Sequence, residues 1–496
     1  MNRSIALNPN KIVKYLNKPA KEFTKSDIIR FIEENDIKML NFRYVGSDGK
    51  LKLLNFIIND RDYLDKILTI GERVDGSSLF TYIEASSSDL YVIPRYRTAF
   101  VNPFSDVPAV DILCSFFDKS GNPLESAPEN VLKKAANSLT EKTGLTFEAL
   151  GELEYYVFSK LDKIYEITPQ KGYHESHPFS KWEFLRVEAI KVLSEIGCRI
   201  KYAHSEVGNI ISGDQEYVQH EIEFLPVPVE EAADQLVIAK WALREVAYQY
   251  DLEISFAPKI IVGQAGSGLH IHTRLVKDGK NMIVDENGLN ETAKKVIGGY
   301  MELAASLSAF GNTVPTSFLR LVPHQEAPTN ICWGDSNRSV LVRVPLGWQG
   351  VQNMASKVNP NEKEQPKQYI SNQTVELRSP DGSANIYLLL AGLTVAARHG
   401  LESSDSLELA KKLYVKEDVN KNKDLVLPQL PASCEEAGDV LLTKRDIYEK
   451  YNVFPAGMID GLVADLKSFD DKNLSEKLFG DGDALQKLVD KYFHCG

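Results

Sequence analysis

Residues 151–158 read GELEYYVF and residues 219–224 read QHEIEF. Both are short runs of strand type, the first largely apolar. A half-buried strand alternates apolar and polar residues so that one face meets the core. Here the alternation places acid on one face: Glu152 and Glu154 point the same way, as do Glu221 and Glu223. Further out, the same spacing sets His270 beside His272 in GLHIHTRLV (268–276) and Glu376 beside Arg378 in TVELRSP (374–380). Glu206 stands near the end of a further strand-like run, YAHSEV (202–207). Any one such pair reads as an ordinary solvated face. The set reads differently. If these strands share a sheet, Glu152, Glu154, Glu206, Glu221 and Glu376 converge, and converging carboxylates repel by several kcal/mol unless a cation neutralises them. Magnesium or manganese suits an oxygen-rich set that includes an imidazole, whereas zinc would favour cysteines, and none stands near these positions.

A second group is cationic. Arg320, Arg338, Arg343 and Arg378 lie in or beside strand-like segments, and guanidinium forks match carboxylate and phosphate in a bidentate manner. Metal-ready acids with several arginines point to phosphoryl transfer. Structural salt bridges are the plain alternative for each arginine alone. The segment GQAGSG (263–268) lacks the Lys-Ser/Thr of a phosphate loop and leads into a strand. It reads as a flexible loop whose backbone can approach a small ligand.

Around these motifs the chain divides in two. A small α+β unit is expected at 1–112: a helix over 24–35 with Thr24 and Asp27 as a capping box, then NFRYV and KLKLLNFII joined at Ser47-Asp48-Gly49. Its stretch 74–94 reads as too polar and turn-rich for core. A larger unit, 113–496, alternates helices and strands. Helices are expected from a Ser126/Glu129 cap to Gly144, over 181–196, and at 230–249, 291–309 and 385–399. Long loops are expected at 208–218 and 346–372.

Composition narrows the function. The 496 residues are 43% apolar and 25% charged, with net charge −12, which gives no electrostatic footprint for nucleic acid. No uncharged run is long enough for a membrane span, and the first residues lack a signal-peptide core. Five scattered cysteines without a CxxC pair read as reduced thiols of a cytoplasmic protein.

In order, VDGSS, ELEYYVF, HSEV, QHEIEF, AGSGLHIH, RLVPHQEAP, NRSVLVRVP and VELRSPDGSANIYL resemble the motifs of bacterial-type (type I-like) glutamine synthetases. The resemblance runs from about residue 74 to 387. It implies an α+β fold: a β-grasp-like N-terminal domain, then a catalytic domain whose antiparallel half-barrel sheet is flanked by helices. It implies ATP-dependent ligation of ammonia to L-glutamate through γ-glutamyl phosphate, with two or more Mg2+ or Mn2+ per site. By match to the family, Glu154, Glu206 and Glu221 hold one metal, and Glu152, His270 and Glu376 the other. Arg338 and Arg343 serve the transferring phosphoryl group, Arg320, Arg378 and Gly266 the glutamate, and Glu326 the closing flap. Asp75, Ser78, Asp89 and Tyr173, with Glu206, form the ammonium pocket, Asp75 acting as base. His204, Phe224 and His272 match nucleotide contacts. Sites between subunits and a homo-oligomer, a dodecamer of two stacked hexameric rings, would follow. The chain departs from the family at Ala265 (commonly Asn), Thr374 (commonly Arg) and Tyr82 (frequently Trp), and Tyr414 lacks the flanking residues of an adenylylation site. Ligation of glutamate to an organic amine and a non-catalytic role are the alternative readings.

Overall fold

The computed structural model describes residues 3–81, 83, 88–322, 327–347, 354–364, 371–421, 425–478 and 480–496. The chain builds two large sheets. In the first, strands β1 (Met39–Val45) and β2 (Leu51–Ile57) form the expected antiparallel hairpin, with Gly49 at φ +73° in its turn. With β3 (Glu72–Asp75), β4 (Asp89–Pro94), β5 (Phe100–Val101) and β6 (Ala109–Phe117) the order is β2-β1-β6-β4-β3, β5 adding to β6. The helix Lys25–Glu34 begins on the expected capping box: Thr24 and Asp27 each accept the other's backbone N–H. Ile28, Phe31 and Ile32 from that helix join Phe42, Val110 and Ile112 in one core.

Two expectations change here. The stretch 74–94 does contribute core, because β4 alternates: Leu90 and Val92 are buried while Asp89 and Tyr91 are exposed, and Phe80 is buried with them. Strand β6 runs through the expected boundary at 112 and ends at Phe117.

The second sheet holds β7 (Thr146–Lys160), β8 (Ile200–Ser212), β9 (Gln215–Phe224), β10 (Val227–Pro228), β11 (Glu253–Ser255), β12 (Leu269–Lys277) and β13 (Lys280–Asn281). After a separate small hairpin, β14 (Val284–Asp285) and β15 (Gly288–Leu289), it resumes with β16 (Trp333–Asp335), β17 (Val342–Val344) and β18 (Val375–Leu377). The order is β16-β17-β18-β12-β7-β9-β8, antiparallel throughout except between β16 and β17. The sheet curls into a half-barrel. Leu153, Ile222, Ile271 and Leu377 are buried in one core with the helices Pro128–Thr143, Val229–Tyr248, Glu291–Gly311 and Ile386–Glu402. Their neighbours Glu152, Glu154, Glu221, His270 and Glu376 therefore take the opposite face.

Two local expectations fail for identifiable reasons. The helix over 128–143 is entered through Ala127 with Pro128 in its first turn and no side-chain cap, so Ser126 is not its cap. Glu129 instead accepts the backbone N–H of Phe116 at 2.9 Å. Residues 208–218 are not a loop: they extend β8 and β9 into a long hairpin turning at Gly213, φ +63°. Its tip adds Ile210 to a small satellite core with Tyr156, Phe158 and Ile260. Of 346–372, the described part includes a short helix, Met354–Val358.

The two units are tied by buried charge. Asp234 receives Arg95 and Arg97, each at 2.8 Å, and the Tyr387 hydroxyl at 2.7 Å. Arg43 pairs with buried Asp111 and lies 3.7 Å over the Trp241 ring. Among the described residues no helix is long and apolar enough to cross a membrane.

Candidate active site

Strand register assembles the site. Glu152 lies opposite both Glu223 on β9 and His270 on β12, and Glu154 lies opposite Glu221. Glu221 in turn faces His204 on β8, while Glu376 faces both His272 and Arg343. One face of five adjacent strands thus carries a continuous band of carboxylates and imidazoles. It floors a cavity of about 1100 Å³.

Within that band the donors group closely. Glu152, His270 and Glu376 each offer an atom within 4.8 Å of the others, as do Glu154, Glu221 and His270, and His204, Glu206 and Glu221. The first group is the expected second metal set. The expected Glu154–Glu206–Glu221 set is instead spread over two groups that share Glu221. His270 Nδ1 lies 2.9 Å from Glu152, and His272 Nε2 lies 2.9 Å from the other oxygen of the same carboxylate. Burial alone would raise the Glu152 carboxyl, but the His272 and His270 rings outweigh it and hold it well below the usual range. Burial followed by the charges of Glu152, Glu154, Glu206 and Glu223 pushes Glu221 well above that range. Burial lowers His204, so the ring 3.1 Å from Glu221 does not compensate as a cation. Glu221 therefore sits among acids with too little positive charge nearby. A divalent cation bound by oxygens and an imidazole fits this deficit, and no cysteine lines the cavity.

The four arginines all line the same cavity. Arg343 Nη1 lies 3.0 Å from Glu376, and Arg378 Nε lies 3.2 Å from it. Arg378 also donates to the Arg338 carbonyl. Arg320 is buried and donates to the Ser379 carbonyl at 2.8 Å. Gly266 and Gly268 allow Arg320 to lie where it does: a Cβ on Gly268 would stand 2.3 Å from Arg320 Nη2. The 263–268 segment is held, not loose. Gly268 N donates to Glu154 at 2.6 Å, and Gln219 Nε2 donates to the Gly266 carbonyl at 3.0 Å.

Other expected residues fall as follows. Tyr173, half-exposed, lines the rim and packs edge-on to His204 at 5.6 Å between ring centroids. His272 and Thr374 line the cavity and are joined at 2.9 Å. The Phe224 side chain is buried in the core and is not among the lining residues; Glu223, Leu225 and Pro226 line the wall there. Asp75, Ser78 and Asp89 lie in the first unit, and none is among the lining residues. Ser78 and Ser77 donate to Asp75 and, with Ser88, hold its carboxyl well below the usual range. Glu326 and Tyr82 lie outside the described residues. Sequence reading passed over Lys201, Lys259 and Gln219. Lys201 pairs with Glu223 at 2.6 Å, Lys259 is a buried lysine of the cavity wall, and Gln219 bridges Glu154 to Gly266. For Gln219 the signal was present: it shares a strand face with Glu221 and Glu223.

A sheet face short of positive charge, set against a bank of arginines, defines an enzyme that handles phosphate or carboxylate groups. The family model for the glutamine synthetase catalytic domain matches residues 125–477, and that for the glutamine synthetase beta-Grasp domain matches 36–119. The glutamine synthetase of Clostridium saccharobutylicum is 31% identical over 391 residues, spanning 77% of this chain and 81% of that protein. That of Frankia alni is 29% identical over 479 residues, spanning 88% and 94%. Among solved structures, the Plasmodium falciparum glutamine synthetase superposes with a TM-score of 0.74 at 19% identity, covering 91% of this chain and 97% of that one. Ligand-free GmaS superposes at 0.72 with 18% identity, covering 92% and 100%. The chain belongs to the glutamine synthetase family, in its bacterial type, and is an enzyme of that ligase class.

Proposed function

We propose that the protein ligates ammonia to the γ-carboxylate of L-glutamate at the expense of ATP, releasing glutamine, ADP and phosphate. The observation that carries this reading is the band of six acids and three imidazoles that lines one cavity together with Arg320, Arg338, Arg343 and Arg378. Mg2+ or Mn2+ would be held by Glu152, His270 and Glu376 and by the groups around Glu221, and would supply charge neutralisation for phosphate and carboxylate oxygens. The chain's own residues do the rest. Arg338 and Arg343 meet the phosphoryl group as it passes from ATP to the glutamate carboxylate. Arg320 and Arg378 orient the amino acid, with the Ala265–Gly266 backbone beside them. His204 and His272 contact the nucleotide. The acyl phosphate so formed is an electrophile that the bare carboxylate is not, and ammonia displaces phosphate from it.

Ammonium must lose a proton first. Asp75, Ser78 and Asp89, brought by a neighbouring subunit to the rim that carries Tyr173 and Glu206, form the cation pocket. Asp75, held ionised by its serine partners, binds the cation and takes its proton. Glu326 serves as the flap acid. Assembly as a ring homo-oligomer, a dodecamer of two stacked hexamers in the cytoplasm, follows from a site shared between subunits.

The test is ADP release with glutamate and ATP, with and without ammonium, against a panel of methylamine, ethanolamine and diamines. Ammonium-dependent turnover with weaker use of larger amines is expected. Preference for an organic amine would replace this reading with a γ-glutamyl-amine ligase, and absence of glutamate-dependent turnover would leave a non-catalytic homologue.

A further inference from the structure

Residues 168–174 run beside the part of β8 where its register with β9 shifts, between Ser205 and Asn209. His174 N donates to the Ser205 carbonyl at 2.9 Å, Gly172 N to Val207 at 3.3 Å, and Gln170 N to Asn209 at 3.0 Å. Asn209 Nδ2 donates in return to the Thr168 carbonyl at 3.3 Å. Asn209 belongs to the extended β8–β9 hairpin, so that extension serves as a rail for the segment carrying Tyr173.

Gln170 is the centre of this seam. Its φ of +56° lies in the left-handed region, which a residue with a Cβ adopts only where its surroundings enforce it. Its side chain works in both directions. Nε2 donates to the Asn209 carbonyl at 3.1 Å, and Oε1 accepts the Ala265 backbone N–H at 3.0 Å. The Ala265 carbonyl accepts from the Tyr156 hydroxyl at 2.8 Å. Ala265 and Gly266 line the cavity beside Arg320, and Ala265 has no polar side chain with which to meet a ligand. Whatever this loop contributes to recognition, it contributes through backbone groups whose positions must be fixed.

We propose that Gln170 is a positioning residue: it fixes the Ala265–Gly266 backbone for the amino-acid substrate and ties that loop to the rim bearing Tyr173. The proposal rests on the ligase reading above, in which this loop meets glutamate. Gln170 is not among the lining residues, so it acts through Ala265 and Asn209.

Two variants of the full-length protein separate its roles. Gln170→Leu removes both side-chain hydrogen bonds at similar volume. Gln170→Glu keeps an acceptor for the Ala265 N–H but loses the donor to Asn209. Each is assayed for glutamate KM, for kcat at saturating glutamate with ammonium, and for amide hydrogen exchange over 262–268. Gln170→Leu should raise the glutamate KM roughly five- to tenfold, the effect of one neutral hydrogen bond or somewhat more, with kcat within about twofold. Exchange at Ala265 should accelerate by a similar factor. Gln170→Glu should recover the Ala265 protection and most of the KM. Unchanged KM and exchange in Gln170→Leu would overturn the proposal, as would equal loss of kcat in both variants. If the wild-type protein shows no glutamate-dependent turnover, the ligase reading falls, while the exchange comparison still decides whether Gln170 holds the loop.

Discussion

Glu221→Gln should change sign with metal. Glu221 is 6% exposed, and it shares one sub-4.8 Å group with Glu154 and another with Glu206. At 4.8 Å, two unit charges in a medium of effective dielectric about 20 repel by about 3.5 kcal/mol. Protonation of Glu221 relieves part of this, so the metal-free gain from removing its charge is capped at about 2–3 kcal/mol. The sign follows from the raised carboxyl: the folded state holds its proton more tightly than the unfolded chain, so stability falls as pH rises above the ordinary carboxylate range. In EDTA at pH 8, Glu221→Gln should therefore melt a few degrees above wild type. In Mg2+ or Mn2+ the order should reverse. Wild type gains about 2.7 kcal/mol at a hundredfold excess over Kd, whereas the variant has lost a ligand shared by both groups and gains less. Differential scanning fluorimetry with EDTA and with a metal titration reads both arms. A variant less stable than wild type in EDTA that keeps the full metal-dependent gain would refute the claim that these acids are short of positive charge.

Burial pushes the Glu129 carboxyl up to about 7 despite its hydrogen bond from Phe116 N; a raised carboxyl contributes stability below its unfolded pKa that is lost as pH climbs through 7. Glu129→Gln, which keeps the acceptor, should thus be more stable than wild type at pH 8 by about 3 kcal/mol and no different near pH 4, as read by urea denaturation at the two pH values. Asp234→Ala should cost about 3–5 kcal/mol, because Arg95 and Arg97 are left without their shared partner; limited proteolysis between the two units would show the loosening, and an unchanged midpoint would argue against the tie. Asp75→Ala should lower ammonium-dependent turnover ~10²–10⁴-fold while sparing slow, ammonium-independent phosphate release from glutamate and ATP, since Asp75 is not among the residues lining this cavity. Equal loss of both activities would return Asp75 to a turn-forming role.

Much of the site was legible before any coordinates, because strand periodicity fixes which residues share a face. Glu152 with Glu154, Glu221 with Glu223, and His270 with His272 needed only the two-residue repeat of an extended chain. What the repeat could not supply was register. That Glu154 sits across from Glu221 and Glu152 from His270 depends on which strands pair and by what offset, and those choices are made by the apolar faces packed against the helices behind. Glu221 lies in register with both Glu154 and His204, so it joins one group with Glu154 and His270 and another with His204 and Glu206.

Local signals worked where the physics is local. The Thr24–Asp27 capping box, the turn around Gly49 and the helix stops at Gly144 and Gly197 involve atoms a few residues apart. They failed where a distant partner competed. The sequence pairs Glu129 with Ser126 as a cap, but Phe116 N claims its carboxylate. Residues 208–218 carry no local strand pattern, because their polar groups are satisfied by the facing strand and by the 168–174 segment. Which side chains carry charge, which faces they share and where the chain turns follow from backbone geometry over a few residues and can be read along the chain. Strand order, the curl that gathers four arginines around the same cavity as the acidic band, and the shared hold of Gln170 on Ala265 and Asn209 are set in three dimensions, because each depends on atoms far apart in the chain packing at once.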